Sequence, residues 1–326
     1  MRILIYFFIA LPCLAFAQEE TYAEKLGFPK GKKVLILHID DIGMSWDSNQ
    51  GVMLAMEKGV ANSCSVMMPC PWVPDFVHYL KKHPNIDAGL HLTLTSEWKE
   101  YRWGPLSGQP AVPGLVDEEG AMYASVEDVV KHATADEVEK EIRAQLLRAK
   151  TMGFTPTHLD SHMGTLFATP EFLQRYIKVG IENRIPVMFP GGHATMIGTS
   201  VTPEVKKQIQ ETAKTIWNAG LPVLDDLHNV SYGFQYTPDM KTDKVIQQFA
   251  TGQYMKTIKE LKPGLTMVIM HCSSPSEIFQ YITESGTIRK GDLLTMINPV
   301  FKKFLEDEGI LLTTWREVKE RRDKVK

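Results

Sequence analysis

Cysteine is scarce in this chain. Of four in 326 residues, Cys13 falls in an N-terminal apolar run, which leaves Cys64, Cys70 and Cys272. Three cysteines with no C-x-x-C pair make neither a disulfide framework nor a structural zinc site, and a chain of this length can build a core without such staples. An excess of charge of one sign is missing too. Thirty-six Lys and Arg stand against 39 Asp and Glu, for a net charge of -3. No basic stripe stands out, so nucleic acid is not expected as a partner. No G-x-G-x-x-G follows the first apolar strand and no G-x-x-x-x-G-K occurs, which removes the dinucleotide and P-loop readings. There is no internal repeat, and no biased segment beyond the Lys/Arg-rich C-terminal tail.

Long apolar runs are also lacking, with one short exception. Met1-Arg2 precedes the run Ile3 to Phe16, and Ala15-Phe16-Ala17 fits a small-x-small cleavage site. This is the pattern of a secretory signal peptide cut after Ala17. The run is short for a bilayer span, and Pro12 before Cys13 makes a poor lipoprotein site. The expectation is an exported protein, periplasmic or secreted, without stable membrane insertion after cleavage. Residues 18–326 are then a single domain.

What is present is an alternation of strands and helices. Val34 to Ile39 is an apolar run of strand length, and Asp47 to Ala61 reads as a helix. Strands are expected at 63–68, 86–94, 156–162, 185–189, 221–227, 265–271 and 310–313. Helices are expected at 73–83, 135–152, 170–183, 203–219, 242–261 and 292–308, the second of these opened by a Thr134/Glu137 capping box. A long irregular stretch, 95–125, carries Trp98, Tyr101 and Trp103, which either stack on a ligand or pin the loop to the core. The alternation implies an α/β fold with parallel strands, best met by a distorted or partly open (β/α) barrel.

Polar groups gather where such strands end. Asp40 and Asp41 close the first, His91 lies near the end of the third, and His158, Asp160 and His162 recur at a spacing of two. Asp225, Asp226 and His228 follow a later run, and His271 ends another. In a parallel barrel these ends share one rim. Two histidines and a carboxylate from three strands make an open metal site. Adjacent acids on a regular strand face opposite ways, so Asp40 and Asp41 both face the centre only if the chain bends, which Gly43 permits. One acid can then hold a metal while the other takes a proton from water.

Three boxes, Asp40-Asp41-Ile42-Gly43, Gly89-Leu90-His91-Leu92-Thr93-Leu94-Thr95 and His158-Leu159-Asp160-Ser161-His162, resemble signatures of the YdjC-type carbohydrate deacetylases, which include the chitooligosaccharide deacetylases. Asn49-Gln50-Gly51, Pro263-Gly264 with His271, and the stretch Leu305 to Leu312 add to the likeness. The resemblance implies a (β/α) barrel that removes acetyl groups from amino sugars with a divalent metal, Mg or Zn, and an acetylated oligosaccharide or amino-sugar substrate. It implies Asp41, His91 and His162 as metal ligands, Asp40 as catalytic base and His271 as proton donor or site-shaping group. His158 and Asp160 would orient a ligand. The chain departs from the family pattern at Met163-Gly164-Thr165-Leu166, at His271-Cys272 where His-Pro is usual, and at Ile42 in place of Phe. Two alternatives follow: an inactive carbohydrate-binding protein of the same fold, or a metal-dependent esterase or phosphoesterase.

Overall fold

The structure, a computed structural model, describes residues 20–196 and 202–325. The expected signal peptide lies outside the described residues. Among them, seven strands form one sheet: β1 (Lys33–Ile42), β2 (Ser63–Val66), β3 (Ala88–Leu92), β4 (Leu159–Ser161), β5 (Asp226–His228), β6 (Gly264–Met270) and β7 (Leu311–Leu312). Every pairing is parallel, in the order β4-β3-β2-β1-β6-β5. β6 runs along one side of β1. On the other side β7 pairs with its beginning and β2 with its end.

The sheet curls into a ring. Parallel bridges Leu159–Val187 and Pro190–Leu224 join β4, through residues 187–190, to the chain entering β5. This is the distorted, partly open (β/α) barrel expected from the alternation. The strand expected at 185–189 shrinks to these bridges, and the one expected at 221–227 to the Leu224 bridge followed by β5, because Pro186, Pro190 and Pro222 have no N–H to give a ladder. The helix expected over 292–308 is two, Gly286–Met296 and Pro299–Asp307, parted where Pro299 ends the first hydrogen-bond run and Asn298 caps the second. The long loop is followed by a short helix, Val126–His132, that the sequence pattern did not suggest.

Alternation along β1 sorts the core. Leu35, Leu37 and Ile39 point outward into the layer of helices. Val34 and Ile36 point inward and pack with Leu265, Met267, Ile269 and Trp315. Trp315, fully buried, opens the C-terminal helix Trp315–Lys324 and plugs the lower end of the ring. The next inward positions on β1 are His38 and Asp40. The interior therefore changes from apolar to polar along a single row of side chains.

Candidate metal centre

β1 brings two adjacent acids to the rim by breaking its own pleat. Asp41 takes the left-handed conformation, φ 65°, and the β1–β2 register shifts between Ile39 and Ile42. The bend was expected at Gly43. That residue does lie at φ 85°, but the turn begins one step earlier, at the acid itself; Asp is among the few non-glycine residues that tolerate this region. Asn49 fastens the turn, its Oδ1 accepting from Gly43 N–H at 2.9 Å and its amide donating to the Trp72 carbonyl at 3.0 Å. Gly51, two residues on, lets the helix Trp46–Lys58 press against the backbone of Cys272 and Ser273, where a Cβ would come within 2.4 Å. The residues around the acid box thus hold its geometry.

Asp41 Oδ1 lies 3.4 Å from His91 Nε2 and 3.3 Å from His162 Nδ1, and the two nitrogens are 3.2 Å apart. All three side chains are buried, and Asp41 Oδ1 has no hydrogen-bond partner among the described residues. The second nitrogen of each histidine meets a carboxylate: His91 Nδ1 is 2.7 Å from Asp160 Oδ1, and His162 Nε2 is 3.0 Å from Glu97 Oε2. Carboxylates in these positions orient metal-ligating imidazoles. The donor set, two imidazoles and a carboxylate with an orphaned oxygen among atoms within 4.8 Å of one another, fits a divalent cation. Two other sets, His38–His158–Asp160 and Asp40–His91–Asp160, have similar spacing. Neither borders the cavity as a set.

That cavity, of about 530 Å³, has Asp40, Asp41, His91, His162, Glu97 and His271 on its polar side and Phe167, Met188, Leu227 and Ile269 on its apolar side. Asp40 Oδ1 is 3.1 Å from His38 Nε2, and Oδ2 is 3.9 Å from His91 Nε2. His271 Nε2 lies 3.2 Å from the Tyr232 hydroxyl and 3.9 Å from Asp41 Oδ2, and its backbone N–H donates to Asp292 Oδ2 at 2.9 Å. Arg289 Nη2 donates to Asp41 Oδ2 at 2.7 Å, while Nη1 is buried in the cavity wall without a partner among the described residues.

Burial and charge pull against each other here. Burial favours a neutral Asp41, but the Arg289 guanidinium and the two imidazoles overcome it and hold the carboxyl well below the usual range. Burial lowers His91, yet Asp40 and Asp160 lift it well above its ordinary value. Against the same burial, Glu97 and Asp41 lift His162 to about 9. For His271 burial wins, pulling it down to about 4. A cation would therefore compete with protons for the His91 and His162 nitrogens.

Other residues singled out from the sequence fall elsewhere. Tyr101 donates to the Met44 carbonyl at 2.5 Å and Trp103 Nε1 to the Thr95 carbonyl at 3.0 Å, so these aromatics pin the loop. Trp98 packs edge-on to Trp103 with the Arg289 guanidinium over its face. Asp225 lies at the start of the strand region, not its end, and accepts from Tyr22, Ala23 and Leu265 N–H. Asp226 pairs with His193 and Thr195, and His228 with Thr257. None of the three borders the cavity. His158 stacks on Trp315 below the site.

Four residues at or under the site were not anticipated. Glu97 stands just past the second signature, after β3, and its place there is the only hint. His38 is two residues before Asp40 and hence on its face of β1, a signal that alternation carries. Arg289 and Tyr232 left no local trace, because tertiary packing alone brings them in.

The YdjC-like protein family model matches residues 34–307. A carbohydrate deacetylase of Thermus thermophilus is 29% identical over 298 residues, covering 91% of this chain and 97% of its own. One of Thermoanaerobacter pseudethanolicus is 25% identical, covering 88% and 100%. Among solved structures, a proposed cellobiose-phosphate cleavage protein of Enterococcus faecalis superposes with a TM-score of 0.69 at 20% identity, covering 88% of this chain and 99% of that one, and so shares the fold. Barrel, acid box and a family match over most of the length agree: the chain belongs to the YdjC-like family, whose relatives here are named carbohydrate deacetylases.

Proposed function

We propose that this protein is a metal-dependent hydrolase that removes acetyl groups from N-acetylated saccharides. The observation that carries the reading is the buried Asp41–His91–His162 set, with its orphaned carboxylate oxygen, on the wall of a 530 Å³ cavity beside a second acid. Asp41 Oδ1, His91 Nε2 and His162 Nδ1 would hold the cation, Mg or Zn. When bound, it supplies Lewis acidity, polarising the acetyl carbonyl and acidifying an attacking water.

Asp40 takes the proton of that water, since its Oδ1 is held by His38 and Oδ2 is left toward the cavity. Arg289 Nη1, lacking a partner of its own, donates to the oxygen on which charge develops. The amine must leave protonated. His271, neutral near pH 7 because burial pulls it to about 4, brings no extra proton. Asp40 therefore returns the one it took, and His271 with Tyr232 hydrogen-bonds the departing group. The apolar half of the cavity takes the acetyl methyl and a sugar face.

Acetate release from N-acetylglucosamine oligomers, measured with and without a chelator, tests this. Chelator-sensitive release is the expected result. Saccharide binding without acetate would favour the inactive binding protein, and turnover confined to esters or phosphoesters would favour the other hydrolase. No release from any acetylated saccharide with cation bound would end the reading. We place the protein outside the cytoplasm on the strength of the Ile3–Phe16 run and the Ala15-Phe16-Ala17 site.

A further inference from the structure

Beneath the candidate centre lies a polar group that the mechanism above uses only in passing. His38 is fully buried on β1. Its Nε2 shares a hydrogen bond with Ser65 Oγ at 3.1 Å and also faces Asp40 Oδ1 at 3.1 Å and Asp160 Oδ2 at 2.9 Å. The other oxygen of Asp160 is the one 2.7 Å from His91 Nδ1. We propose that His38 is a positioning residue: its imidazole ties the acid that takes the proton to the acid that orients a ligand histidine, so one bridge sets both. The proposal rests on the deacetylase reading for the roles of Asp40 and His91, but the bridge itself does not.

Three features support it. A nitrogen with two carboxylate oxygens within about 3 Å must carry a proton, because a lone pair there would meet two acceptors. The opposite nitrogen has its own partner, Nδ1 lying 2.9 Å from Ser63 Oγ, so the ring is held at both ends. The surroundings also leave no rival cation at the two oxygens His38 faces: His91 takes the other oxygen of Asp160, and burial holds His158, 3.5 Å from Asp160 Oδ2, toward its neutral form. His158 meets His38 edge-on, with centroids 4.9 Å apart, and stacks its other side on Trp315. Arg289 is engaged with Asp41. Ser65 Oγ, donating to Asp40 Oδ1 at 3.4 Å, adds a neutral bond. Gly89 completes the fit, since a Cβ there would lie 2.5 Å from the His158 ring.

The consequence is directional. With Oδ1 fixed from below, Asp40 cannot turn, and Oδ2 alone is presented to the reacting water. A misplacement of about 1 Å in such a group costs on the order of 100-fold in rate. The same atoms admit one competing account, a second cation held by His38, His158 and Asp160.

His38→Gln and His38→Leu, each compared with wild type as full metal-loaded chains, decide between these. Gln keeps an uncharged N–H donor near Nε2, and Leu keeps the volume with no donor. The expected result is one cation per chain in all three proteins and KM within about twofold, with kcat about tenfold lower in Gln and about 100-fold lower in Leu. A nitrogen-15 NMR spectrum of wild type should show a proton on His38 Nε2. An unchanged kcat in Leu would overturn the proposal. So would equal losses in Gln and Leu accompanied by lost metal or folding, since that describes a merely structural residue. Two cations per wild-type chain, falling to one in the variants, would replace the bridge by a metal site. If wild type releases no acetate at all, the deacetylase reading fails, and the NMR spectrum still judges the bridge: an unprotonated Nε2 refutes it.

Discussion

Glu97 offers the sharpest test of the centre, because removing it should have two opposed effects whose balance shifts with pH. Its carboxylate sits 3.0 Å from His162 Nε2, about a fifth exposed and with no other side-chain partner among the described residues. Loss of a carboxylate that orients a ligand histidine typically weakens metal binding by about 10–100-fold. Yet Glu97 is also the leading charge that lifts His162 to about 9. At pH 7 an entering cation must displace a proton held about two pH units above ambient, a penalty of about 100-fold, or about 2.7 kcal/mol. Removing Glu97 lowers that proton's affinity and returns part of the penalty. Glu97→Ala should therefore bind Zn nearly as well as wild type at pH 7, and about 10–100-fold more weakly at pH 9.5, where His162 of wild type no longer has a proton to displace. The sign is consistent: the raised histidine makes wild-type affinity climb between pH 7 and 9, and the variant climbs less. Titration calorimetry at several pH values in matched buffers reads both slopes and counts released protons. A loss that is the same at every pH, or wild-type affinity that does not change between pH 7 and 9, would refute the account of His162.

Three further outcomes follow from the geometry. Asp40→Asn should keep its metal and lose about 10²–10⁴ in rate, whereas Asp41→Asn should lose metal and regain part of its activity in excess cation. Elemental analysis and acetate release on the same samples separate them, and the reverse pattern would exchange the two roles. Gly89→Ala should destabilise the fold by about 1–3 kcal/mol through overpacking, since its Cβ would meet the His158 ring at 2.5 Å; an unchanged urea midpoint would show that the ring moves freely. Intact-mass measurement on protein exported from cells should find a chain beginning at Gln18, and recovery of the whole chain inside the cell would contradict the leader.

The parts of this fold that were legible are those governed by local periodicity. Val34 to Ile39 is read as a strand because it is apolar, branched and short. Asp41, His91 and His162 were placed at strand ends by position, and they meet in the structure. The errors have physical causes. A helix is expected from Asp292 but begins at Gly286, so the pattern leaves Arg289, which touches Asp41, outside every expected element. Asp225 was put at the end of a strand because Leu221 to Leu224 is apolar. Prolines prevent a ladder there, and Asp225 instead receives the N–H groups of Tyr22 and Ala23 at the far end of the barrel. His158, Asp160 and His162 alternate in sequence, but the strand stops at Ser161 and His162 opens a turn, with Met163 and Gly164 following at positive φ.

The deeper reason the site was partly visible lies in the barrel interior. Val34 and Ile36 fill its lower half with Trp315, and His38 and Asp40 continue the same row upward. A charged group can occupy that row only if it is paired, because each unpaired ion taken out of water costs several kcal/mol. Asp40 needs His38, His38 needs Asp160, and Asp160 also holds His91. Such a chain of mutual requirement cannot lose one member cheaply, so its residue types surface in the sequence as histidines and acids where strands should be apolar. Glu97 and Tyr232, at the open edge where water can serve as partner, carry no such requirement and leave no comparable mark. The sequence therefore discloses the floor of the cavity more readily than its mouth, and the mouth is where the saccharide would be chosen.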